Sequence, residues 1–253
     1  MTFGRSFLSL WPLDPDATYL NHGTVGVTPR VVLEAQQRWR DRIERHPARF
    51  MLRELWSFTG STADGPPLIR QAAAEVAAFV GARPDDLVFV DNTSTGVNAV
   101  MRSLPLASGD EVVITDHAYG GIVTAVKHCA ERAGATVRTV EMPYPAFSGG
   151  ECVDRIAAAL TPRTRLVIVD HIAAESALVF PVNEIVKACH ERHVPVLVDG
   201  AHVPGQLPLD VSAIGADFYI ANLHKWAMAP RSSAFMVVSP GQQAMIHPPV
   251  ISW

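Results

Sequence analysis

A regular alternation of short β-branched runs with helical patterns begins after Gly81 and constrains the fold of this chain more than any other feature. Such alternation is typical of a parallel sheet whose strands are joined by crossover helices. The runs are almost continuously apolar, which predicts a sheet covered on both faces and hence a three-layer αβα fold. Seven strands are predicted, at Leu87–Val90, Glu111–Thr115, Thr136–Val140, Leu166–Asp170, Pro195–Asp199, Asp217–Ala221 and Ala234–Val238.

Helical patterns occupy the gaps between these runs. They cover Gly96–Ser103, Gly120–Ala133, Val153–Leu160 and Val182–Arg192. Upstream, Thr28 is predicted to cap a helix that begins at Pro29 and runs to about Arg45, and another helix follows Pro66-Pro67 and runs through Val80. We therefore expect an N-terminal segment with a helix over residues 1–60, and the large sheet domain over residues 61–253.

Composition excludes several classes of function. The net charge is −4 without a Lys/Arg block, so binding to nucleic acid or to an anionic membrane is not expected. Charges interrupt every hydrophobic stretch before it reaches membrane-spanning length, and the N-terminus is a poor signal peptide, so a cytoplasmic location is expected. The cysteines are few and widely spaced, which predicts reduced thiols. They are Cys129, Cys152 and Cys189.

The residues just after each strand are the candidates for ligand binding, because ligands of open α/β sheets bind outside the carboxyl ends of the strands. After the first strand, the segment from Asp91 to Asn98 opens a helix with hydroxyls and a glycine, a ready anion site. Ordinary helix capping by Thr93 or Ser94 is the alternative. After the second strand, Tyr119 or His117 could stack on a flat ligand, although either ring could equally pack on the sheet or face solvent.

Two further strand ends carry an acid and a lysine. Asp199 ends an apolar strand, where an unpaired buried charge is costly, so it requires a cation such as a protonated pyridine nitrogen, a metal or an ordinary salt-bridge partner. Lys225 follows the sixth strand and is one of three lysines in the chain. The other two, Lys127 and Lys187, lie inside predicted helices. Lys225 is thus the candidate for a covalent Schiff base with a carbonyl ligand.

Five segments together resemble the class V aminotransferase family of fold-type-I pyridoxal-5'-phosphate (PLP) enzymes, and within it the isopenicillin-N-epimerase-like group. The pairing of Asn-x-His-Lys-Trp with an upstream Asp-x-Ala-His is the most specific part of the resemblance. The segments are Tyr19 to Gly26, Asn92 to Asn98, Asp116 to Gly120, Asp199 to His202, and Asn222 to Trp226.

The resemblance implies a role for each site residue. Lys225 would form the Schiff base with PLP and move the substrate α-proton, Asp199 would pair with the pyridine nitrogen, and His202 would lie near the ring hydroxyl. Tyr119 is the expected stacking ring, with His117 as the second choice. The phosphate would be held by Ser94, Thr95, Asn222 and His224. No metal site is expected, since the histidine pairs lack partners at ligand spacing.

The resemblance also implies a PLP-dependent transferase-like large domain, a homodimer and a small amino-acid substrate. We expect epimerase-like chemistry at the α-carbon; the alternatives are transamination, a cysteine desulfurase or C–S lyase reaction, and a truncated, inactive relative that binds PLP or a partner. This chain departs from the pattern at Ala173–Ser176, where relatives often carry a small polar residue, and at Ser232, where they place Gly. The C-terminal small domain of the family, which usually supplies an Arg for the substrate carboxylate, is expected to be absent.

Overall fold

The computed structural model describes residues 4–57, 62, 65–146 and 148–251. The predicted domain boundary between residues 60 and 61 and the terminal Ser252 and Trp253 lie outside the described residues. The core is one seven-stranded sheet of order β1-β7-β6-β5-β4-β2-β3, in which only β7 runs antiparallel to its neighbours β1 and β6. The strands are β1 Leu87–Val90, β2 Glu111–Thr115, β3 Thr136–Val140, β4 Thr164–Asp170, β5 Val196–Asp199, β6 Phe218–Asn222 and β7 Ala234–Val238.

Helices cover the sheet on both faces and confirm the three-layer αβα prediction. The helices are α1 Arg30–Arg45, α2 Pro47–Arg49, α3 Leu68–Val80, α4 Thr93–Ser103, α5 Gly120–Ala133, α6 Gly149–Ala159, α7 Val182–His190 and α8 Val211–Ile214. Helices α3 to α8 pack on the sheet, whereas α1 and α2 contain no buried residue. None of the helices within the described ranges is both long enough and apolar enough to span a membrane.

Successive residues along the central strands enter two separate apolar cores, because side chains alternate between the faces of a sheet. In β5, Val196 and Val198 pack with α3, α6 and α7, whereas Leu197 packs with α4 and α5. The same alternation places Tyr219 in the first core and Ile220 in the second. The near-continuous apolar character of the runs therefore reflects burial on both sides, as the sequence predicted.

Most element boundaries match their predicted positions. Among the exceptions, β4 begins at Thr164 rather than Leu166, β6 ends at Asn222 rather than Ala221, α6 begins at Gly149 rather than Val153, and α7 ends at His190 rather than Arg192. Helix α4 begins at Thr93 rather than at Gly96, because the Asn92 side chain caps it by accepting a hydrogen bond from the Thr95 N–H at 2.9 Å. The prediction that Thr28 caps α1 is wrong. The Thr28 hydroxyl instead donates to the Ala229 carbonyl at 3.3 Å, and Pro29 occupies the cap position without a side-chain hydrogen bond.

The connection between β6 and β7, residues 223–233, carries Lys225 and is held between two glycines distant in sequence. A Cβ at the buried Gly26 would overlap the His224 carbonyl oxygen and would lie 2.8 Å from that of Lys225. On the other side Gly205, at φ +90°, packs so tightly on the chain that a Cβ there would lie 2.6 Å from the Trp226 carbonyl carbon. The backbone around Lys225 is therefore confined by main-chain contacts alone.

The substitution Gly26→Ala is expected to destabilise the protein by about 1–3 kcal/mol, since an inserted methyl group must push two segments of backbone apart. Thermal and urea unfolding followed by circular dichroism measure the change. Gly241→Ala is the matched control, because a Cβ at the exposed Gly241 would have no heavy atom within 4 Å. Equal stabilities of the two variants would show that the contact at Gly26 is not close.

Candidate active site

A cavity of about 180 Å³ opens at the carboxyl edge of the sheet, against the N-terminal ends of α4 and α5. Its walls come from six separate parts of the chain, and most of the polar side chains singled out in the sequence lie here. The lining residues are Thr24, Asn92, Thr93, Ser94, Tyr119, Ile122, Asp170, Ala174, Asp199, Ala201, His202, Asn222, His224 and Lys225.

Three neighbouring strands each end in a buried polar residue that lines this cavity. Asp170 ends β4, Asp199 ends β5 and Asn222 ends β6, and the three are 4%, 4% and 5% exposed. Each stands two residues after a side chain of the core formed by α4 and α5, so all three point to the same face of the sheet. The sheet thereby gathers two carboxyl groups and an amide at the bottom of one cavity.

The segment at the start of α4 forms one wall of the cavity. The Thr93 N–H donates to Asn222 Oδ1 at 3.0 Å, which ties the helix start to the end of β6. Thr93 Oγ1 is buried and has no hydrogen-bond partner within the described part of the chain. A buried hydroxyl at the start of an 11-residue helix, beside Ser94, suits an anionic ligand, because the helix dipole adds to the available donors.

Lys225 extends from the β6–β7 connection into the cavity, where its Nζ lies 3.1 Å from His202 Nε2. Burial lowers the pKa of Lys225, and the nearby Asp199 opposes this by raising it. Burial likewise lowers the pKa of His202, to about 4, with Lys225 as the second cause. Both groups are thus driven towards their neutral forms, and a neutral amine is the form that attacks a carbonyl.

Asp199 lines the same cavity as this amine, and the turn that follows β5 holds its side chain in place. Its Oδ1 accepts a hydrogen bond from the Ala201 N–H at 2.9 Å. Burial raises the pKa of Asp199 to about 6, while the Ala201 hydrogen bond and Lys225 act to lower it. A cationic ligand group beside this carboxyl would reduce the cost of burying its charge.

His224 faces the cavity with a defined ring orientation. Its Nδ1 lies 2.9 Å from the Ser233 carbonyl oxygen, which can only accept, so Nδ1 carries the proton. Burial lowers the pKa of His224, which favours this neutral tautomer. Close by, Ser232 has φ +61°, a left-handed conformation that Gly adopts easily and Ser adopts at some cost, at the position where relatives were expected to have Gly.

The structure separates the two candidates for a stacking ring. Tyr119 lines the cavity and is 50% exposed. His117 is not among the lining residues; its Nδ1 lies 2.9 Å from Ser176 Oγ, and its ring contacts Tyr144 and Phe180. Thr95, expected beside the phosphate, is also outside the lining, since its N–H and hydroxyl both approach Asn92 Oδ1.

Asp170 and Thr93 are the lining residues that sequence reasoning missed as functional candidates. Asp170 looks like the ordinary last residue of an apolar strand, but its register partner in the sheet is Asp199. Burial raises the pKa of Asp170 well above its ordinary value, and the Asp199 charge raises it further. Had the two strands been aligned by their terminal acids, the juxtaposition would have been visible in the sequence.

Comparisons with known proteins are consistent with this arrangement. The family model described as aminotransferase class-V matches residues 19–250. Isopenicillin N epimerase of Amycolatopsis lactamdurans is 34% identical over 244 residues, which cover 95% of this chain and 58% of that protein. A probable chloroplastic L-cysteine desulfhydrase of Arabidopsis thaliana is 35% identical over 257 residues, with 94% and 52% covered.

Solved structures of the cystine C–S lyase C-DES have the same fold. Two of them align with TM-scores of 0.79 at 28% and 29% identity, covering 94% of this chain and 60% and 61% of theirs. One holds glycine covalently linked to the PLP cofactor, and the other holds the reaction product cysteine persulfide. The present chain thus spans little more than half the length of the curated relatives described above.

The substitution Asp170→Asn should change how stability depends on pH. The pKa of Asp170 is raised in the folded protein. The contribution of this carboxyl to the free energy of unfolding is therefore complete at low pH and is lost as pH rises through the folded pKa. Asparagine has a similar shape and does not ionise. The unfolding free energy of the variant relative to wild type should therefore rise as the pH increases above the ordinary pKa of an aspartate, about 4, and should level off once the folded pKa of Asp170 is passed.

Urea unfolding of cofactor-free protein at a series of pH values measures this difference. Asp154→Asn, an exposed carboxyl on α6, is the control and should leave the pH profile unchanged. If the Asp170→Asn and wild-type profiles run parallel across the range, the Asp170 carboxyl is not titrating abnormally.

Proposed function

The chain belongs to the class-V aminotransferase family, and from this premise we propose that it binds PLP in the cavity at the carboxyl edge of the sheet and acts on the α-carbon of an amino acid. The observation that carries the proposal is the position of Lys225. Its Nζ lies in a cavity bounded on one side by a buried acid, Asp199, and on the other by the start of α4.

The residues present fit this cofactor group by group. The phosphate matches the start of α4, where Thr93 has a buried hydroxyl without a partner in the described chain and Ser94 lies beside it. The protonated pyridine nitrogen matches Asp199, whose buried carboxyl otherwise carries an unfavourable charge. The aldehyde matches the Lys225 amine, and the flat ring matches the exposed face of Tyr119.

Each of these residues has a defined chemical task in the proposal. When bound, PLP supplies an electron sink that stabilises negative charge at the substrate α-carbon. Lys225 would hold the cofactor covalently through Nζ, and the same amine, once released by the substrate, would take the substrate α-proton. Asp199 keeps a positive charge on the pyridine nitrogen, while Asn222 and His224 assist Ser94 at the phosphate. His202 contacts Lys225 Nζ and would hold the ring hydroxyl of the cofactor.

We propose epimerase-like chemistry, in which the α-proton returns on the opposite face. A cysteine C–S lyase is the second candidate, supported by the similarity of the chain to the L-cysteine desulfhydrase and to the cystine C–S lyase C-DES. A desulfurase that forms a persulfide on its own thiol receives less support, because no cysteine lines this cavity. The thiols of Cys152 and Cys189 are buried, and Cys129 lies on the far part of α5.

Covalent binding of the cofactor is tested with Lys225→Ala. Purified wild-type protein mixed with PLP is expected to show a visible absorption band that borohydride abolishes, leaving a reduced adduct on the Lys225 peptide in mass spectrometry. Lys225→Ala should lose both signals, whereas Lys187→Ala, a substitution on α7, should keep them. An identical adduct in Lys225→Ala would exclude Lys225 as the anchor.

The reaction itself is tested with a panel of L- and D-amino acids in deuterated water. Inversion accompanied by deuterium at the α-carbon is expected for an epimerase, while release of sulfide and pyruvate from L-cysteine identifies the lyase. Keto-acid formation with conversion of the cofactor to its amine form identifies transamination. If the adduct at Lys225 forms but none of these reactions occurs, the activity proposal is wrong for this chain.

A further inference from the structure

Trp226, directly after the cofactor lysine, contacts the cavity wall through a hydrogen bond that the proposed chemistry does not use. Its indole Nε1–H donates to His202 Nδ1 at 3.3 Å. The opposite nitrogen of the same ring, His202 Nε2, lies 3.1 Å from Lys225 Nζ. One imidazole thus bridges the side chains of two consecutive residues.

The direction of the first hydrogen bond determines the second. An indole N–H can only donate, so His202 Nδ1 must present its lone pair to Trp226. A neutral imidazole carries one proton, and that proton is then on Nε2. The Nε2–H faces Lys225 Nζ, and an amine can accept it only when Nζ is neutral and has a lone pair.

An arrangement with a charged Lys225 cannot satisfy both hydrogen bonds of His202. A charged Lys225 ammonium would have to donate to Nε2, which moves the ring proton to Nδ1 and sets it against the Trp226 N–H. A doubly protonated His202 ring would set an N–H against the Trp226 N–H and another against the Lys225 ammonium. Burial also lowers the pKa of His202, to about 4. Only the neutral amine satisfies both contacts at once.

We propose that Trp226 is a positioning residue that fixes the Nε2–H tautomer of His202 and thereby favours the neutral, nucleophilic form of Lys225. The inference rests on the proposed function in taking Lys225 as the cofactor anchor. It adds a reason for the amine to be ready before the cofactor arrives, in addition to burial.

The surrounding chain holds the rings of Trp226 and His202 in place beside Lys225. The backbone of Gly23 lies against both rings, since a Cβ there would be 3.4 Å from His202 Cε1 and from Trp226 Cζ2. Gly205 packs against the main chain of Trp226, and the His22 ring is 5.8 Å from the indole. The other titratable groups that line the cavity with Lys225 are Asp170, Asp199, Tyr119 and His224. Among these, Asp199 acts against the neutral form of Lys225.

Competitive labelling of cofactor-free protein with acetic anhydride tests the proposal without any measurement of turnover. Peptide mass spectrometry resolves each of the three lysines, so Lys127 and Lys187 serve as internal references. In wild type, Lys225 should be labelled at lower pH than both references. In Trp226→Phe, the apparent pKa of Lys225 should rise by about one unit, which is roughly tenfold less neutral amine at pH 7.

Trp39→Phe is the matched control, because Trp39 lies on α1 and packs on Phe50 and Arg42 rather than on the cavity. It should leave the Lys225 titration unchanged. A Trp226→Phe protein with a native circular dichroism spectrum and a wild-type Lys225 titration would overturn the proposal. Nitrogen-15 NMR of the wild-type histidine rings gives an independent result if the variant does not fold: a His202 protonated at Nδ1 also overturns it.

Failure of the proposed function has a different signature. If PLP leaves no borohydride-stable adduct on Lys225 in wild type, the cofactor assignment fails whatever the labelling shows. If the adduct forms in wild type and the labelling titrations of wild type and Trp226→Phe coincide, the cofactor assignment stands and the role of Trp226 is wrong.

Discussion

Alternation of side chains along β4, β5 and β6 is the constraint on which the rest of the structure depends. Both faces of these strands are covered, and the buried polar residues that line the cavity stand at their carboxyl ends. Since the three strands are adjacent and parallel, their last residues meet on one face. A shift of one residue in any register would turn Asp199 or Asn222 into the opposite apolar core, where neither would have a partner. Fold stability and site assembly therefore depend on the same register.

The cavity gathers groups whose pKa values are shifted towards the neutral forms. Asp170 and Asp199 are pushed towards the neutral acid by burial, and Lys225 is pushed towards the neutral amine. Such groups are costly in a protein without ligand, and they are typical of functional sites. A phosphate, a pyridinium and an aldehyde would each meet a residue suited to it. The shifted pKa values and the residues that line the cavity thus point to one kind of ligand.

Much of the fold could be predicted from the sequence because the signal was local. Apolar runs of strand length and the loop lysine Lys225 are visible without any knowledge of packing. Features that depend on contacts between distant segments were not accessible in the same way. Thr28 looked like a helix cap but bonds to the Ala229 carbonyl, and the Asp170–Asp199 pair exists only once β4 and β5 are aligned. The sequence ranked Tyr119 above His117 as the stacking ring only by resemblance, and the positions of the two rings relative to the cavity depend on the turn after β2.

The tight approach of Gly26 to the His224 carbonyl joins parts of the chain that are nearly 200 residues apart. Closing so long a loop is entropically costly, and contacts of this separation are generally made late in folding. Both apolar cores include residues of β6 and β7, so neither core is complete before these strands are made, and the amino-terminal segment likewise needs the β6–β7 connection as a surface to pack on. The surroundings that we propose make Lys225 competent to bind the cofactor are therefore complete only after synthesis has passed Trp226.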